Sequence, residues 1–174
     1  MESDELLLCA SKKSGAIINI VTKTRFTLIY LFVNLCKSNT MTSTVIYKGA
    51  LRTEMQHLLS GSVIENDAPV DNHGKGERFS PTDMVATALG SCLLTTMGIK
   101  AETMGIDLTG TSVEITKIMK AEPRRIGGIK AHVFFVKGLT VDEHQKEILE
   151  RTARTCPVER SLHPDMELDF QFNW

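Results

Sequence analysis

Cys92 and Cys156 carry the chemistry that this sequence can offer. A thiol acts as its thiolate, and a thiolate oxidised to a sulfenic acid can be resolved by a second thiol into a disulfide. The two stand too far apart for a CxxC pair or a local zinc knuckle, so only a fold that joins distant segments can couple them. Cys92 lies about three turns inside a helix opening at Ser80-Pro81-Thr82-Asp83, beyond reach of the N-terminal dipole. A mid-helix cysteine on an apolar stripe is in general a small core residue, so packing and redox roles both stand at this level. Cys156 precedes Pro157 at a helix start, where free N–H groups favour a thiolate. Cys9 and Cys36 fall in a separate N-terminal stretch and receive no role.

A thiolate at Cys92 needs a cation from another element. Arg52, in an early hairpin, and Arg78, just ahead of the helix, are the candidates. A guanidinium is always charged and can hold a thiolate and a peroxide oxygen together. Glu54, Glu77 or Asp83 can orient it through a charge-assisted pair. The histidines show neither HExxH nor paired ligand spacing, so no metal is expected. A Cys92–His acyl-transfer arrangement, with His57 or His163 as base, is a weaker alternative because nothing marks an oxyanion hole. Gly74-Lys75-Gly76 lacks the remainder of a phosphate loop, and there is no dinucleotide fingerprint; no organic cofactor is expected.

The elements that must position these residues are readable. Thr42 to Tyr47 alternates as a strand, Leu51 to Met55 forms a second and Ser62 to Glu65 a third. Asn66 to Phe79 is turn-rich and reads as an exposed loop. Ser80, Pro81 and Asp83 give a capped helix start, and the pattern runs through Met104 to a stop at Gly105. Val85, Leu89, Cys92, Thr96 and Ile99 share a stripe on this slim, nearly all-apolar helix, which suits a central element packed on most sides. Strands follow over Thr111 to Met119 and Ile126 to Val136. A capping box at Thr140 to Glu143 opens a second helix to about Arg154, Cys156-Pro157 restarts a short one, and Met166 to Phe172 closes as a strand. The fold class is α+β, with a mainly antiparallel sheet and one long central helix.

The chain of 174 residues fits one domain with an extension. Met41 begins the globular domain, residues 41–174, and residues 1–40 read as an extension, disordered or loosely helical. Within it, Lys12, Lys13, Lys23 and Arg25 precede the apolar run Phe26 to Leu35, about half the length of a membrane-spanning helix. With 20 basic and 21 acidic residues there is no electrostatic case for nucleic acid or an anionic membrane. Four cysteines without regular spacing argue against a secreted disulfide framework and for a reducing, cytoplasmic setting.

Phe79-Ser80-Pro81-Thr82-Asp83, Ala88-Leu89-Gly90-Ser91-Cys92 and Met97-Gly98-Ile99 resemble the OsmC/Ohr family. So does Thr155-Cys156-Pro157-Val158-Glu159-Arg160-Ser161-Leu162. The likeness spans residues 41–174. It implies an intertwined homodimer with the long helices central and the sites at the interface. It implies a thiol-dependent peroxidase for organic hydroperoxides, with Cys92 as the peroxidatic residue, Cys156 as the resolving one, and a dithiol or lipoyl-type reductant. A non-enzymatic dimeric redox sensor, or a binder of small hydrophobic molecules, is the alternative on the same scaffold. Arg52 matches the arginine of the organic-hydroperoxide branch and Arg78 that of the OsmC branch, with Arg52 preferred. The family's Glu after the helix-start proline is replaced here by Thr82, and Asp83 follows about 100° further round the helix.

Overall fold

Alternating β-branched residues build the first strands where expected, in a computed structural model that describes residues 41–174. The expected extension, residues 1–40, lies outside the described residues. Strands β1 (Ser43–Gly49), β2 (Arg52–His57) and β3 (Val63–Asp67) form an antiparallel sheet in that order. β3 runs further than the sequence suggests. Asn66 and Asp67, expected in an exposed loop, are buried strand residues facing Thr53 and Arg52 across the ladder. Polar cross-strand pairing replaces apolar patterning there, and only the latter marks a strand locally.

The long helix α1 (Pro81–Thr103) starts on the expected capping box. The Ser80 N–H donates to the Asp83 carboxylate at 2.8 Å, and the Asp83 N–H donates to Ser80 Oγ at 3.1 Å. It ends at Met104, with Gly105 left-handed at φ +67°. Its core face is Ala86, Leu89, Gly90, Leu93, Met97 and Ala101. Of the expected stripe only Leu89 belongs to that face, while Val85 and Ile99 are exposed and Cys92 lies half-buried at the border. On a helix apolar nearly all round, hydrophobicity does not reveal which side is covered. Ala86 and Gly90 decide it, because small residues let the helix settle onto a sheet.

That sheet comprises β4 (Ser112–Lys120), β5 (Arg125–Phe134) and β6 (Glu167–Asn173), in the order β4-β5-β6. β4 and β5 are antiparallel; β5 and β6 are parallel. A parallel neighbour requires a crossover, and helices α2 (Glu143–Ala153) and α3 (Pro157–Ser161) provide it. α2 is capped by Asp142 with Gln145 rather than by the expected Thr140–Glu143 box. Ile129, Ala131 and Val133 of β5 and Leu149 and Ala153 of α2 join the buried face of α1 in one core. Where α2 passes the end of β5, Trp174 stacks on Phe135 at 3.5 Å and donates from Nε1 to Glu150 at 2.8 Å.

The β1–β2–β3 sheet is covered differently. Val45, Tyr47, Val63 and Ile64 are 62%, 64%, 54% and 49% exposed, so apolar groups of this sheet meet solvent in a single chain. A small sheet with uncovered apolar faces has little independent stability.

The helix–sheet seam leaves no room for a side chain at Gly90, where an added Cβ would sit 2.8 Å from Ile115 Cδ1 and 3.0 Å from Val113 Cγ1. Gly90→Val is expected to destabilise the fold by about 1–3 kcal/mol through overpacking, despite valine's better helix propensity. Urea unfolding of the purified variant measures it.

Candidate active site

The fold brings Cys92 and Cys156 together, although they come from α1 and from the turn between α2 and α3. Both are free thiols, Cys92 half-buried and Cys156 fully buried. The Cys92 side chain adjoins the Cys156 thiol and helps to keep it protonated. Cys156 caps α3: its Sγ accepts the Glu159 N–H at 3.3 Å. The sequence argument that this helix start favours a thiolate is overturned by burial. Desolvation pushes the Cys156 thiol up from 9.0 to about 11, outweighing the Glu159 N–H, which acts in the opposite direction. Cys156 is therefore a protonated thiol at neutral pH, sealed beneath its more accessible partner.

Arg52 opens β2 directly after a strained turn, in which Ala50 and Leu51 adopt left-handed φ of 50° and 61°. Such backbone costs a non-glycine residue about 1–2 kcal/mol and persists where surrounding contacts fix it. Here the Arg52 guanidinium grips Asp67 with Nε at 2.6 Å and Nη2 at 2.9 Å, and reaches Glu77 from Nη2 at 2.7 Å. These hydrogen bonds hold Asp67 below the usual carboxylate range and raise the Arg52 pKa further. Arg78 is far less constrained. It is half-exposed, 3.6 Å from Glu65 and bonded to the Glu77 carbonyl.

Asp83 binds Lys117 at 2.7 Å rather than an arginine. Burial pushes its carboxyl up, but hydrogen bonds from Lys117 and Ser80 prevail and leave it depressed. Lys117 also donates to Thr82 Oγ1 at 2.8 Å, so the Thr82-Asp83 pair forms a lysine seat at the head of α1. Among the described residues, no hydrogen bond or ion pair joins Arg52, Arg78 or Asp83 to either cysteine within one chain. A groove of about 480 Å³ contains Glu77, Arg78, Phe79, Thr87 and Lys117, and neither cysteine lines it.

Three functional candidates escaped the sequence reading. Asp67 is identified only by the β2–β3 register, for which no local signal exists. Lys117 is one alternating residue of β4 until the sheet turns it towards α1. Glu159 had a signal, as an acid three positions after the Cys156 cap. Its Oε2 is buried without a hydrogen-bond partner. Burial pushes its carboxyl up, against the opposing charges of Arg154 and Arg160.

The family model described as OsmC-like protein matches residues 74–171. A crystal structure from Psychrobacter arcticus, of a protein named for osmotic stress induction and the detoxification response, is 48% identical. The match covers 77% of this chain and 96% of that one, with a TM-score of 0.74. An organic hydroperoxide resistance protein OsmC from Legionella pneumophila shares the fold at 16% identity, over 77% of this chain and 98% of that one, with a TM-score of 0.60. An OsmC-like protein of unknown function from Vibrio cholerae does so at 14% identity, covering 75% and 96%, with a TM-score of 0.63. No curated protein matches the chain significantly. With more than half its length under the family model and a near relative along the described residues, the chain belongs to the OsmC-like protein family.

Proposed function

We propose that this protein is a thiol-dependent peroxidase that reduces organic hydroperoxides in the cytosol, with residues 41–174 as the functional domain. One observation carries the reading: two free cysteines from distant segments meet, one accessible and the other buried and protonated. Family membership supports it, as does the naming of the Legionella relative for organic hydroperoxide resistance.

Cys92 is the attacking residue because peroxide can reach it and cannot reach Cys156. Its thiolate attacks one peroxide oxygen, the O–O bond breaks and the alcohol leaves with a proton, giving the Cys92 sulfenic acid. Cys156 then attacks the Cys92 sulfur, forming the disulfide and releasing water. An external dithiol of the lipoyl type restores both thiols by exchange.

Arg52 is the activating cation in this reading, since Asp67 and Glu77 preorganise its guanidinium. Such preorganised charge is the term that most lowers barriers in enzymes. The uncovered β1–β2–β3 sheet supports a homodimer: in this reading a second copy buries its apolar faces and brings Arg52 to a cysteine that its own chain does not offer it.

In stopped-flow measurements with cumene hydroperoxide, wild type should consume peroxide rapidly and Cys92→Ser should not. Arg52→Ala should lose about 100-fold in second-order rate, whereas Arg78→Ala should stay within about twofold of wild type; equal rates for wild type and Cys92→Ser would end the peroxidase reading. Light scattering should return twice the mass of one chain, and a monomer at micromolar concentration would remove the dimer.

The buried thiol also has a signature in stability. The Cys156 pKa is raised in the fold, so its contribution is complete below 9.0 and is lost as pH climbs to about 11. Denaturant midpoints of wild type should fall across that window relative to Cys156→Ala, and parallel curves would contradict the assignment.

A further inference from the structure

Apart from the thiols, the loop after β5, the start of α2 and the residue after β6 surround a further cavity of about 410 Å³. Neither cysteine lines it. Its volume lies within the span of roughly 300–1,000 Å³ typical of small-molecule sites. Val136, Leu139 and Val141 supply aliphatic walls, and Phe135 with Trp174 an aromatic one. That aromatic wall is already fixed. The two rings stack at 3.5 Å, and the indole N–H donates to Glu150 at 2.8 Å. A wall ordered in advance leaves little entropy to be lost when a ligand arrives.

The charges at this cavity have one sign. Lys137 and Lys146 both line it, and among the described residues no Asp or Glu does. Lys137 is exposed, and among the described residues its ammonium has no ion-pair or hydrogen-bond partner. Lys146 lies 5.7 Å from the centre of the Trp174 ring, with its side chain only 26% exposed. Its carboxylate partner is Glu143 at 2.6 Å, and that side chain is 89% exposed. A pair so open to solvent contributes little, so another carboxylate can displace Glu143 at small cost. Glu150, the other acid nearby, is engaged by the indole. A neighbouring cavity of about 320 Å³ shares Val136 to Leu139 but carries Asp107 and no aromatic side chain. The two lysines and the aromatic wall therefore occur together only on one side of this loop.

We propose that the 410 Å³ cavity binds a small apolar carboxylate, its tail against Leu139, Val141 and the Phe135–Trp174 wall and its carboxylate on the Lys137 and Lys146 ammonium groups. A straight acyl chain and an aryl tail share this chemistry. The site does not depend on the peroxidase reading, because occupying it consumes no thiol.

Trp174 is the only tryptophan of the chain, so its indole N–H gives a single resonance at the cavity wall in nitrogen-labelled full-length protein. Octanoate should shift that resonance saturably, with a Kd of about 0.1–1 mM for a ligand of this size. A parallel titration with 4-phenylbutyrate distinguishes the tails, the tighter ligand naming the kind. Octanol has the same chain without the charge and should bind about tenfold more weakly or worse. Lys137→Gln alters an exposed side chain that the fold does not use; it should weaken octanoate binding about tenfold, and Lys137→Arg should restore it. Lys146→Gln should weaken it to a similar degree. Absence of a saturable shift with both carboxylates up to about 10 mM would overturn the proposal. So would equal affinities for octanoate and octanol, or an affinity unchanged by both lysine substitutions. Octanoate should bind Cys92→Ser as it binds wild type; loss of binding there would move the ligand to the thiols and overturn the separate site. Hydroperoxide consumption judges the peroxidase reading by itself and stands or falls apart from these titrations.

Discussion

The seating of α1 on the β4–β5–β6 sheet is the contact on which the rest of the molecule depends. Ala86 and Gly90 permit a close approach, and Leu89, Leu93 and Met97 fill the interface to complete exclusion of solvent. The parallel placement of β6 then forces the chain back across the same face, and the crossover through α2 and α3 lands against α1. Cys156 meets Cys92 because a strand order demands a crossover and a slim helix leaves room for it. The pairing of the thiols is thus a product of topology, with no local attraction needed to bring them together.

Charge is distributed around this scaffold in separate units. Lys117 neutralises Asp83 at the head of α1, and Asp67 with Glu77 holds Arg52 on the other sheet. Among the described residues, neither cluster forms a hydrogen bond or ion pair with a cysteine. The thiols instead sit in a largely apolar environment, where burial dominates over the hydrogen bond at the α3 cap and keeps Cys156 protonated. With one sulfur half-buried and the other sealed, a reagent from solvent meets Cys92 before Cys156.

Much of this was legible in residue order. Capping residues marked the start of α1 and glycine its end, and alternation marked β4 to β6, because both signals are written within a few residues. The cysteine pair was legible through two motifs taken together. The features that escaped are those decided by partners remote in sequence. The covered side of α1 is set by β4, the burial of Asp67 by its register with Arg52, and the state of Cys156 by desolvation that its cap position does not reveal. The box on α2 lay two residues further along than expected because Asp142 and Gln145 satisfy the same rule as Thr140 and Glu143, and local sequence does not choose between them.

Trp174 gains a different significance from its position. It is the sole tryptophan of the chain, stacked on Phe135 of the sheet side and hydrogen-bonded to Glu150 of α2. α2 is the helix whose far end leads into Cys156. The indole is therefore an intrinsic fluorophore placed where the crossover helix meets the sheet. Its emission maximum and quenching track whether α2 rests against the sheet, so the docking of the segment that delivers the second thiol can be followed optically with no label attached.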